Sequence, residues 1–231
     1  MKLFNKLKKY LTPFQWTEVL IVIGFTVYFA ANDKDSTWWY ILISSIAAIC
    51  GIFCVVLCAA GKKSQYYWGF INIAAYIVVA WMSQYYGEVM LNAFYYLPTQ
   101  FIGIYYWRKH YSDIKKTVKC KKMAPVMVLV FIIISTLTIW LYQIVLFSLG
   151  GRATWLDSAS TTFSLIANML MVLRYREQWL LWIIVDIITV VMWVSAGDWI
   201  MTTMWSVYLV NACYGLYHWT KMNNEDNLQN V

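Results

Sequence analysis

Long apolar runs alternate along the chain with short polar gaps. Eight apolar segments can be marked, about 14–31, 37–60, 65–84, 87–107, 124–147, 154–173, 178–195 and 198–219. Most approach the roughly 20 residues that cross a hydrocarbon core, and 178–195 is at the short end. In lipid only helices or closed barrels satisfy their own backbone, and these runs are continuous instead of alternating, so they predict helices. The pattern therefore predicts an all-α polytopic membrane protein with eight transmembrane helices.

Composition agrees: 61% of the 231 residues are hydrophobic and only 13% charged, far too few charges to cover a soluble domain of this length. The Lys and Arg residues then set an orientation. One side of the predicted membrane receives Lys2, Lys6, Lys8, Lys9, Lys62, Lys63, the cluster between Arg108 and Lys122, Arg174, Arg176 and Lys221. The other side receives only Lys34 and Arg152, a split of sixteen to two. The positive-inside rule places both termini in the cytoplasm. The net charge of +7 follows from the same distribution. Beside a bilayer the basic run "RKHYSDIKKTVKCKK" reads as a topology signal touching anionic lipid, and no nucleic-acid partner is expected.

Two further features are read as structural. The start "MKLFNKLKKY" before "VLIVIGFTVYFAA" has the outline of a signal peptide. Tyr28 or Phe29 would then stand where cleavage needs a small residue, so a retained helix is expected. Cys50, Cys54 and Cys58 are spaced four apart on one helix, where thiols cannot pair with each other. They are read as small packing residues in preference to a soft-metal site. Neither a metal nor a cofactor is expected.

An internal repeat organises the chain. "GEVM" (87–90) followed by "GIYYWRK" (103–109) parallels "GDWIM" (197–201) followed by "GLYHWTK" (215–221). Upstream, "KSQYYWGFIN" (63–72) parallels "REQWLLWIIVD" (176–186), so that Trp68 and Asn72 correspond to Trp182 and Asp186 with a one-residue shift. The expected organisation is an N-terminal basic segment and extra helix (1–36), a three-helix repeat (37–107), a basic loop and linker helix (108–153), a second three-helix repeat (154–221) and a tail (222–231). Repeats that begin four helices apart run the same way across the membrane. Such a 3+1+3 arrangement of parallel repeats is a transporter feature, with its site near the midplane.

Polar side chains inside the apolar segments cluster at one depth. An Asp at a helix centre costs roughly 2.5–3.5 kcal/mol to insert, yet Asp186 stands in "LLWIIVDIITVVMWV". Asn72, Gln100 and Asn211 fall at similar depth. Trp68 with Asn72, and Trp182 with Asp186, are i, i+4 pairs that share a helix face. Tyr96 and Gln100 do likewise, and Tyr208, Asn211 and Tyr214 form another stripe. Pro98, next to Thr99 and Gln100, removes a backbone hydrogen bond beside them. Single membrane amides commonly act as glue between helices. Trp107 and Trp219 are assigned to the aromatic belt at the membrane surface, but Trp182 is too deep for it. The coincidence at one depth points to a binding site made of Trp182, Asp186, Asn72, Gln100, Asn211, Tyr214, Trp68, Thr99 and Tyr208. Amides and a carboxylate suit hydroxyl groups, and aromatic faces suit flat, cationic heterocycles. Asp186 is the only deep ionisable group in this reading, which favours uniport over ion coupling.

With "GIYYWRK", "GLYHWTK", "WLLWIIVD" and "NACYGLYHW", the chain resembles the PnuC family of bacterial nicotinamide riboside transporters over nearly its whole length. The resemblance implies a duplicated three-helix unit like that of SWEET sugar transporters. It also implies facilitated diffusion of nicotinamide riboside, trapping by a soluble kinase, and a homotrimer in the lipid bilayer. The chain has no phosphate-binding loop of its own. The polar inventory alone leaves thiamine and riboflavin open as cargo, and a structural membrane subunit is the rival of another class. That rival explains the aromatics but not the matched polar pairs. An enzyme is not expected, because His110 and His218 stand at helix ends, far from Asp186 along the membrane normal. Haem would require His inside the bilayer.

Overall fold

The computed structural model describes residues 11–84, 86–148 and 155–228. The basic segment 1–10 and Arg152, both used above to orient the chain, lie outside the described residues. The protein is all-α, with eight helical segments close to the eight apolar runs. They are α1 (Pro13–Asn32), α2 (Trp38–Ala59), α3 (Gln65–Met82), a broken fourth segment, α6 (Pro125–Ser148), α7 (Trp155–Leu173), α8 (Gln178–Ala196) and α9 (Trp199–Leu228). The broken segment comprises α4 (Tyr86–Leu91), one π-helical turn (Asn92–Tyr96) and α5 (Leu97–Lys109). The last helix runs beyond the apolar run as far as Leu228.

By length and composition alone, three helical stretches among the described residues qualify as membrane spans, Pro13–Asn32, Trp38–Ala59 and Gln178–Ser195. The physical reason is visible in α3 and α9, whose apolar runs are diluted by inward-facing Gln, Asn and Tyr, and in the fourth segment, whose break leaves α5 with only 13 residues.

Local chemistry fixes the helix ends. Thr12 caps α1 in a reciprocal box with Gln15: the Thr12 hydroxyl accepts from the Gln15 backbone N–H, and the Gln15 side-chain oxygen accepts from the Thr12 N–H. Pro13 follows at the first helical position, where its missing N–H costs nothing. The Gln15 amide also donates to the Val56 carbonyl (2.9 Å), which pins α1 to the end of α2. Asp198 caps α9 by accepting from the Met201 N–H (2.9 Å), after Gly197 closes α8 in the left-handed conformation (φ 74°).

Six helical segments close into a ring. In order round the ring, α2 packs on α3, α3 on the broken segment, α5 on α7, α7 on α8, α8 on α9 and α9 back on α2. Outside the ring, α1 lies against α2 and α9, and α6 lies against α7. Glu18 on α1 is buried (3% exposed), and its carboxylate oxygens have no hydrogen-bond partner among the described residues. Asp186 is therefore not the only acid hidden within the helical layer.

At the basic end, the segment after α5 forms a two-stranded antiparallel hairpin, β1 (Tyr111–Ser112) with β2 (Thr117–Val118). It continues as a strap across that end. The Val118 N–H donates to the Gly61 carbonyl (2.9 Å), and the Lys121 N–H donates to the Arg174 carbonyl (2.8 Å). Gly61 and Arg174 both adopt left-handed backbone, φ 66° and 68°. Each lies four residues before the Gln that opens the next helix, Gln65 or Gln178. The strap thus ties together two equivalent turns.

Candidate functional site

The ring encloses an elongated cavity of about 140 Å³. Near the basic end it is walled by Cys58, Gln65 and Trp179, and at the opposite end by Tyr76, Glu88, Thr189 and Trp205. An aromatic cluster closes each end, sharing Trp179 or Tyr76 and Trp205 with the wall. At the basic end Tyr66, Trp107, Trp179 and Trp219 pack edge-on or tilted, with ring centroids 5.3–5.9 Å apart. At the other end Tyr76 meets Trp193 and Trp205 edge-on at 6.1 Å.

The basic-end cluster explains the Gly-x-Tyr-x-Trp motifs. Trp107 and Trp219 are fully buried, which corrects their assignment to a surface belt. The indole N–H of Trp107, on α5, donates to the Met171 carbonyl on α7 (3.0 Å). That of Trp219, on α9, donates to the Cys58 and Ala59 carbonyls on α2 (3.2 Å each). The motif glycines make room for the partner rings. A Cβ on Gly103 would strike the Tyr66 ring, and one on Gly215 would come within 2.6 Å of the Trp179 ring.

Six of the nine sequence-derived site residues line the cavity: Asn72, Gln100, Trp182, Asp186, Tyr208 and Asn211. Asp186 is 3% exposed, at the middle of α8 and directed inward. The amide nitrogens of Asn72 and Asn211 donate to carbonyls of α2, Ala47 (2.8 Å) and Val55 (3.2 Å). A carbonyl partner requires the N–H₂ side of each amide, and the Asn211 oxygen is left without a hydrogen-bond partner among the described residues.

The other three stand behind the wall. Trp68 stacks on Phe53 (4.6 Å, 24°). Tyr214 packs between Phe14 (4.9 Å) and His218 (5.7 Å, 8°). Thr99 accepts from the Asn168 amide (2.7 Å), which holds Asn168 in the lining.

Sequence reading missed Glu88, Asn92, Asn168, Ser164, Thr189 and Trp205, all of which contribute to the wall. A regular signal was present for several of them. Glu88, Asn92, Tyr96 and Gln100 are spaced four apart, as are Ser164 and Asn168.

The cavity's chemistry is unbalanced in a specific way. Buried polar atoms of its lining have no hydrogen-bond partner among the described residues: Gln100 Oε1, Trp179 Nε1, Tyr208 Oη and Asn211 Oδ1. Each such group costs about 1–3 kcal/mol if left unsatisfied. The lining carries two carboxylates, Asp186 and Glu88, and no Lys, Arg or His among the described residues. It can therefore receive a flat ligand rich in donors and acceptors, and it favours positive over negative charge. No cluster of His, Cys, Asp and Glu suited to a metal ion occurs among the described residues.

Comparison with known proteins identifies the family. The family model described as "Nicotinamide mononucleotide transporter" matches residues 41–221. The nicotinamide riboside transporter PnuC of Haemophilus influenzae is 36% identical over 219 residues, 93% of each chain. Its namesake from Neisseria mucosa is 35% identical, over 91% of this chain and 82% of the relative. The Escherichia coli protein of that name is 24% identical, over 84% of this chain and 90% of the relative. A crystal structure of the vitamin B3 transporter PnuC superposes with a TM-score of 0.81 at 34% identity, covering 93% of both chains. The chain thus belongs to the nicotinamide mononucleotide transporter family of membrane proteins.

Proposed function

We propose that this chain carries nicotinamide riboside across the bacterial inner membrane, with the cavity inside the helix ring as its binding site. The observation that carries the reading is the set of unpartnered donors and acceptors around Asp186. A carboxamide and ribose hydroxyls answer the amides, indoles and phenols. The pyridinium answers the carboxylate and stacks on Trp182. The relatives named for nicotinamide riboside transport support the same cargo. A mononucleotide fits less well, because its phosphate would meet two carboxylates and no cation in the lining.

The 3+1+3 organisation with parallel repeats belongs to the same proposal. Its support is the reciprocal bracing of Trp107 on α7 and Trp219 on α2, and the matched left-handed turns at Gly61 and Arg174. The basic end, with both termini, is assigned to the cytoplasm on the distribution of Lys and Arg.

Transport by facilitated diffusion is proposed because no Lys, Arg or His joins Asp186 and Glu88 in the cavity wall among the described residues to form an ion relay, and Glu18 stands apart from that wall. Accumulation then requires phosphorylation by a soluble kinase. The homotrimer rests on the family resemblance alone. The deciding experiment is calorimetry on the purified protein with nicotinamide riboside, its mononucleotide, thiamine and riboflavin. Uptake into liposomes with and without an imposed proton or sodium gradient accompanies it. Selective binding of the riboside and equilibration without accumulation are expected. Equal binding of thiamine or riboflavin would overturn the cargo, and gradient-driven accumulation would overturn facilitated diffusion.

A further inference from the structure

The broken fourth segment presents a polar ladder to the cavity. Glu88, Asn92, Tyr96 and Gln100 recur at intervals of four, and all line the wall. Over those 12 residues an undistorted α-helix makes about three and a third turns, which would swing Gln100 about a third of a turn away from Glu88. The intervening turn is π-helical over Asn92–Tyr96. A π turn holds more residues per revolution and so rotates less per residue. It brings the ladder back towards one face. The Asn92 amide donates to the Glu88 carbonyl (2.8 Å), which binds the π turn to the α-turn before it. π turns of this kind occur often at functional sites.

Glu88 is the end of this ladder furthest from the basic end, and no Lys, Arg or His faces the cavity among the described residues. The described ion pair elsewhere joins Arg176 to Glu177, at the basic end. Gln100 Oε1 of the same wall (residue 6% exposed) lacks a hydrogen-bond partner among the described residues. Glu88 therefore places a second carboxyl group in a cavity already built for a ligand, at a different height from Asp186 and from the opposite half of the ring, and a cationic ligand beside it would hold it ionised.

We infer that Glu88 is a specificity-determining residue of this cavity: it selects for a cationic N-substituted pyridine ring at the outer end of the path to Asp186. The inference rests on the cargo proposed above and adds a second charge-reading position to it. A cationic ring moving along the cavity passes from one carboxylate to the other, whereas a neutral ring gains nothing from either.

The test is calorimetric titration of the purified full-length chain with nicotinamide riboside and with its uncharged reduced form. The parent is compared with Glu88→Gln, Glu88→Met and Glu88→Asp, each checked for an unchanged thermal midpoint. The ratio of the two affinities is the readout, because a merely structural role would weaken both ligands alike. Gln is expected to lower the preference for the cation about tenfold, and Asp, which keeps the charge, to hold it within about threefold. Met, similar in shape and uncharged, supplies the same reading if the Gln variant does not fold. A parent-like ratio in the folded uncharged variants overturns the inference and leaves the cargo standing. Failure of the parent to bind either ligand overturns both.

Discussion

Trp107 donates its indole N–H to the Met171 carbonyl at 3.0 Å, so a helix of one half of the ring is fastened to the end of a helix of the other. Trp219 returns the bond at Cys58 and Ala59. The Met171 and Cys58 carbonyls also accept from the backbone N–H of Arg174 (3.0 Å) and of Gly61 (2.9 Å) in the turns that follow, so each buried indole is a second donor at a helix end. Trp107→Phe and Trp219→Phe should each fold and lose about 0.5–1.5 kcal/mol, the net value of one hydrogen bond, read as a lowered thermal midpoint in detergent. The two rings touch, with centroids 5.9 Å apart, so the double variant should depart from additivity. Strict additivity would mean that each indole acts only within its own bracket.

The glycines of the same motifs give a steric counterpart. Gly103→Ala and Gly215→Ala would drive a methyl group into the Tyr66 and Trp179 rings. Overpacking of this kind costs about 1–3 kcal/mol. Gly24→Ala on α1 serves as the control: nothing lies within 4 Å of its Cβ, and Ala is the better helix former by roughly 0.5–1 kcal/mol. Thermal midpoints should fall for the first two and hold or rise for the third. A fall of equal size in all three would show that the close ring contacts are not what the motif glycines provide.

Much of this arrangement was legible in the sequence, for definable reasons. The apolar runs anticipated the eight helical segments within a few residues at most ends, because in lipid the length of an apolar run directly sets an element. Trp182 and Asp186 were readable as a pair because an i, i+4 spacing places both on one face whatever surrounds them. Trp68 was read as the counterpart of Trp182 by the same rule, yet it stacks on Phe53 behind the wall. The face that a helix turns inward is decided by its neighbours, which spacing does not encode. Trp107 and Trp219 looked like belt residues because their position along the helix is the same whether the ring meets lipid or another helix. Glu88 escaped because it was read as the polar start of a segment, and nothing in the residue types announces a π turn at Asn92–Tyr96.

Trp182 is the aromatic member of the site with the clearest expected effect. It lines the cavity one turn from Asp186, and its ring lies 6.4 Å from that of Tyr96. Stacking of a base-like ring on an aromatic face contributes about 1–3 kcal/mol. Trp182→Ala should therefore weaken binding of nicotinamide riboside roughly ten- to hundred-fold while the protein still inserts and folds. Calorimetry on the purified variant checks this, and parent-like affinity would make Trp182 a packing residue only.

Asp186 answers for its own insertion cost by facing the cavity instead of lipid. At 3% exposure it is shielded from solvent, and a carboxylate turned to hydrocarbon would have nothing to pair with. Asn72, which the sequence pattern aligns with it, faces the same cavity with an uncharged amide that is already committed to the Ala47 carbonyl. One half of the site thus carries charge at that height and the other does not. The attraction between unit charges about 5 Å apart is roughly 3 kcal/mol at an effective dielectric of about 20. A pyridinium spreads its charge over the ring, so the realised effect should be smaller. Asp186→Asn should keep the fold and reduce the preference for nicotinamide riboside over its uncharged reduced form by roughly ten- to thirty-fold. Both affinities are measured on the parent and on the variant. An unchanged ratio would make Asp186 a hydrogen-bonding or structural residue with no part in reading charge. Combining Asp186→Asn with Glu88→Gln separates two geometries. Effects that multiply place the carboxylates on independent stages of the path, whereas a double variant no worse than Asp186→Asn alone places both around one bound ring.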